Sequence, residues 1–74
     1  MDQLNVVLKI VSEATRTETV NLDSSTENLD GWDSFAYMLV VSEIEREFGI
    51  EVNASNIKSF GSIKNIIKLL AIKC

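Results

Sequence analysis

The sequence predicts an all-α fold: a small bundle of four helices, three longer and one short, with a long ordered loop between the first two. Three observations support this. Apolar residues recur at helical spacing in three separate runs. Capping residues stand where those runs begin or end. The one run of β-type residues, "IEV" at 50–52, is too short to predict a strand.

The first helix lies in "DQLNVVLKIVSEAT", where Leu4, Val7, Leu8, Val11 and Ala14 form one stripe. From Arg16 to Asp33 the periodicity stops and Thr, Asn, Asp, Ser and Gly take over. Single apolar residues at Val20, Leu22, Leu29 and Trp32 are expected to pin this long loop to the core, Trp32 as a buried anchor. The second helix is predicted from about Ser34 to Phe48. Its stripe is Tyr37, Val40, Val41, Ile44 and Phe48, Met38 fills a gap in the core, and Gly49 caps the end. "ASNIKSF" holds one short helical turn, with Ile57 and Phe60 three apart.

The last helix starts near Ser62, an N-cap, and runs through Ile63, Ile66, Ile67 and Leu70, with Lys64, Lys68 and Lys73 off the stripe. Val41, Ile44, Phe48, Ile63 and Ile66 are expected in one core, so truncating Phe48 would cost about 3–5 kcal/mol.

Composition narrows the chemistry. The 74 residues make one domain, 1–74, too small for a large enzyme cleft. There is no histidine, and the single cysteine is Cys74, read as an exposed tail thiol, so neither a disulfide framework nor a Cys/His metal site is available. The amino terminus lacks a signal-peptide pattern and no apolar run reaches membrane-spanning length, which points to a soluble cytoplasmic protein, and a monomer is expected. Of a formal net charge of -4, residues 18 to 51 hold nine acids and one base, Arg46. Such a surface repels nucleic acid and attracts a basic protein.

The residue that invites a function is Ser34, in "GWDSF", where the polar loop gives way to the second helix. Either Asp33 or Ser34 suffices as an N-cap, and with Asp33 in that place the Ser34 hydroxyl stands in the first turn at the loop mouth. A helix N-terminus favours an anion, so a phosphate ester on Ser34 would be well placed, and phosphorylation is one such modification. Catalysis by Ser34 lacks a histidine base, and "DSSTENLDGWD" does not match a calcium loop.

With "WDSF", "EIEREFGIEV" and the spacing on to "FGSI" and the closing amphipathic helix, the chain resembles the acyl and peptidyl carrier proteins over nearly its whole length. The resemblance implies that Ser34 carries 4'-phosphopantetheine, added from coenzyme A by a phosphopantetheinyl transferase. The arm would hold an acyl or aminoacyl group as a thioester for a loading enzyme and a downstream synthase or transferase. The protein would then be a carrier and not an enzyme. A small helical interaction module, with Ser34 merely a cap, is the reading from another class.

The chain departs from fatty-acid carriers, which commonly read "DSLDxVE" here: Ala36 and Leu39 replace the two acids. The face opposite the core stripe carries Phe35, Leu39, Ser42 and Arg46, apolar at its near end and cationic at its far end. Phe35, Ala36, Leu39, Ser42 and Arg46 are therefore the candidate docking residues, unless Phe35 and Leu39 are buried. "GWDS" in place of "GADS" looks like stand-alone carriers of specialised biosynthesis rather than housekeeping fatty-acid synthesis.

Overall fold

A computed structural model of the protein describes residues 3–73 and places three α-helices: α1 (Gln3–Thr15), α2 (Ser34–Phe48) and α3 (Ile63–Lys73). Residues Ile57–Gly61 form a 3₁₀ turn, so the expected fourth short helix is not an α-helix. The spacing of Ile57 and Phe60 suits three residues per turn. Ahead of it, Asn53 and Asn56 bind the backbone with their own side chains: Asn56 Oδ1 accepts from Asn53 N at 2.8 Å and Asn53 Oδ1 from Ser55 N at 2.9 Å. These local bonds compete with a continuing helix. Cys74 lies outside the described residues.

Helix α1 packs on both α2 and α3, and the 3₁₀ turn packs between α2 and α3. The core is Val7, Ile10 and Val11 of α1, Ala36, Val40, Val41 and Ile44 of α2, Phe60, and Ile63, Ile66, Leu69 and Leu70 of α3, with Trp32 from the loop. The stripe of α1 is rotated from the expected one. Ile10 is buried while Leu4, Leu8 and Ala14 pack at the edge, because α1 faces two neighbours rather than one. Phe48 is half-buried at the end of α2, and the fully buried phenylalanine is Phe60. Met38, expected inside, is exposed.

Helix ends follow local chemistry. Ser62 Oγ accepts from Asn65 N at 3.2 Å and starts α3. Gly49, at φ 64°, ends α2 in the left-handed conformation that costs glycine little. Among the described residues, no helix is long and apolar enough to cross a membrane.

The loop between α1 and α2 is held by polar bonds as well as by apolar anchors. Trp32 is buried, and Val20 and Leu29 pack against the core, but Leu22 points outward. Buried Ser24 accepts from Asn21 N at 3.0 Å through Oγ, and Asn28 Nδ2 donates to Asp23 O at 2.8 Å. Thr26 N donates to Gly61 O at 2.9 Å and Ile63 N to Ser24 O at 3.1 Å, forming a β-bridge between Ser25 and Ser62.

Gly31 fixes where the loop crosses the end of α1. A Cβ there would stand 2.4 Å from Thr15 O, a backbone atom that cannot move aside alone. Gly31→Ala is therefore expected to lower stability by about 1–3 kcal/mol or more, read as a drop in the urea midpoint.

Candidate functional site

The start of α2 is organised by Asp33. Its backbone is extended (φ -91°, ψ -171°), its Oδ1 accepts from Ala36 N at 3.0 Å, and its carbonyl accepts from Tyr37 N at 2.8 Å. Asp33 is thus the N-cap, and Ser34, first residue of the helix, is exposed and not used as a cap. The amides of Ser34 and Phe35 have no partner among the described residues. Free amides at the positive end of a 15-residue helix favour an anion on the Ser34 oxygen. The Asp33 carboxylate partly opposes that.

A cavity of about 470 Å³ opens beside Ser34, lined by Thr26, Trp32, Asp33, Ser34, Tyr37 and Met38. Met38 stands four residues after Ser34, one turn along the same helix face, and that spacing was the signal by which sequence could have placed it here. Trp32 is only 3% exposed, and its Nε1 is buried with no hydrogen-bond partner among the described residues. Leaving such a donor unpaired costs about 1–3 kcal/mol.

Tyr37 forms the wall between α2 and the 3₁₀ turn, its hydroxyl donating to the Ile57 carbonyl. Burial lifts the phenol pKa above its ordinary 10.0, and the Phe60 backbone offsets part of this. Because the unfolded chain ionises first, the stabilisation from neutral Tyr37 is complete below about pH 10 and is lost as pH rises through the higher folded value. Stability should fall more steeply above pH 10 in the native protein than in Tyr37→Phe, by urea midpoints on both.

The remaining candidates divide. Phe35 is 74% exposed and Leu39 is 40% exposed, flanking a second cavity of about 400 Å³ between α1 and α2. Ser42 and Arg46 continue along that exposed face. Ala36 does not belong with them: it is 2% exposed, because it shares the inward face with Val40 and Ile44, four and eight residues on. Nor is the far end of the face simply cationic, since Arg46 forms a two-oxygen ion pair with Glu43 at 2.7 and 2.8 Å.

The geometry offers a hydroxyl for modification and no histidine to activate it. In comparison with known proteins, the profile of the family described as "phosphopantetheine attachment site" matches residues 5–70. No curated protein and no solved structure matches the chain. The match takes in all three helices but for the ends of α1 and α3, and members of that family carry 4'-phosphopantetheine covalently on a serine. The chain belongs to the phosphopantetheine attachment site family, the carrier domains.

Proposed function

We propose that Ser34 is the serine that carries the arm, and that the protein holds an acyl or aminoacyl group for partner enzymes of a specialised pathway rather than of housekeeping fatty-acid synthesis. One observation carries the assignment: Ser34 is exposed at the first position of α2 while Asp33 alone does the capping. The residues fit the group. The free amides of Ser34 and Phe35 suit a phosphodiester, and the adjoining cavity suits part of a flexible chain.

In loading, the Ser34 oxygen forms a bond to the phosphorus next to the pantetheine of coenzyme A. The pyrophosphate bond breaks and adenosine 3',5'-bisphosphate leaves. The hydroxyl proton goes to a base of the transferase, since this chain has no histidine. When bound, the arm supplies a thiol that holds the cargo as a thioester. The test is intact mass after incubation with coenzyme A and a broad-specificity phosphopantetheinyl transferase, followed by mapping of the modified peptide. A gain of one phosphopantetheine on a peptide lacking Ser34, or no gain, overturns the assignment.

The specialised pathway rests on what stands beside Ser34. Phe35 and Leu39 offer apolar surface where a fatty-acid carrier offers acids, and exposed apolar residues next to the modified position suit a partner with an apolar pocket. Phe35→Ala is expected to change the unfolding free energy by less than about 0.5 kcal/mol. It should slow cargo transfer to the true partner about tenfold, the loss of one well-packed interface side chain. Leu39→Ala follows the same pattern with a larger stability cost, because Leu39 is 40% exposed where Phe35 is 74% exposed. Urea unfolding and transfer kinetics on both variants check this, and unchanged transfer would remove the docking role.

A further inference from the structure

The cavity beside Ser34 has a wall residue whose one polar side-chain atom has no acceptor among the described residues. Trp32 lines it, is almost wholly buried, and keeps its Nε1–H unpaired among the described residues. The other large polar wall group, the Tyr37 hydroxyl, is already committed to Ile57 O. Thr26 also lines the cavity, with its amide tied to Gly61 O. An unpaired buried donor on a residue that lines the cavity together with Tyr37, Met38, Thr26, Asp33 and Ser34 favours a hydrogen-bond acceptor on a flexible, weakly polar chain.

We propose that the Trp32 Nε1–H receives an amide carbonyl of the arm joined to Ser34, so that the resting arm folds back into this cavity instead of extending into solvent. The inference rests on the carrier reading and adds a positioning residue to it. The arm's chemistry fits: it carries two amides, each with one carbonyl acceptor, between the phosphate at Ser34 and the thiol. Nε1 is sealed from solvent, so a carbonyl reaches it through a shift of a wall side chain. Met38, unbranched and 53% exposed, is the wall residue freest to make that shift. Trp32 thereby has two roles, holding the loop to the core with its ring and holding the arm with its nitrogen.

The protein has one tryptophan, so a ¹⁵N-labelled sample gives a single indole N–H signal. That signal is compared before and after complete conversion with coenzyme A and transferase, with conversion read independently by intact mass. A second sample is loaded from a coenzyme A analogue in which methylene groups replace the two amide carbonyls. The expected result is a downfield shift of the indole proton with the natural arm, larger than that of any backbone amide outside residues 26–38, and little shift with the analogue. An unmoved indole signal in fully loaded protein overturns the inference and leaves the carrier reading standing, as does an equal shift with both arms. Absence of any mass gain overturns both together. Ser34→Ala, treated identically, should show the unloaded signal throughout.

Discussion

Ser34→Ala will remain folded and accept no phosphopantetheine, with loading falling from complete to undetectable by intact mass. The two halves of this outcome have separate causes. On the assignment proposed above, loading requires an oxygen at position 34, and a neighbouring hydroxyl such as Ser42, two turns along α2, would not be presented in the same place. Folding does not require that oxygen, because the bond that starts the helix runs from Ala36 N to Asp33. Alanine is also a better helix former than serine at this position, so the urea midpoint should move by less than the equivalent of about 0.5 kcal/mol. Asp33→Ala is the mirror image: it keeps the hydroxyl and should cost about 0.5–2 kcal/mol through the lost cap.

Phe60→Ala is expected to lower stability by about 3–5 kcal/mol. A chain of this length has about 4–11 kcal/mol in all, so the variant should be near its unfolding threshold at room temperature. Phe60 has no exposed surface, and it belongs to the turn that fills the space between α2 and α3, so its removal leaves a cavity that no single helix can close. Phe48→Ala should cost clearly less, because Phe48 is half-buried and already faces solvent on one side. Urea midpoints of the two variants, compared in one buffer, check both the magnitude and the order.

That pair of phenylalanines shows where sequence reading succeeds and where it stops. The approximate bounds of α2 were legible, because Asp33 or Ser34 at its start and Gly49 at its end mark them by local chemistry. The candidate serine was legible for the same reason, being the hydroxyl next to a cap. Which side chain lies deepest was not. Phe48 and Phe60 both sit on apolar stripes, and only the packing of α2 and α3 on the 3₁₀ turn buries one and leaves the other at the edge. Ala36 and Met38 were misplaced for a related reason: a helix apolar around most of its first turns gives no contrast from which to read its inward face. The order of the loop was legible only in part. Its apolar residues suggested anchoring, but the bonds of Ser24, Asn28 and Thr26 depend on backbone groups that meet only in the folded chain.

The bridge between Ser25 and Ser62 has a mechanical meaning for a protein handed from one enzyme to another. It closes the chain into a ring that contains all of α2 and the 3₁₀ turn, with Ser34 inside the ring and α1 outside it. A partner that grips the loop ahead of Ser34 therefore also pulls on the first residues of α3, through two backbone bonds that do not depend on side-chain identity. Strain applied at Ser34 is shared by both sides of the ring, so that on the assignment proposed above Ser34 keeps its bearing on the rest of the molecule while the arm beyond it moves.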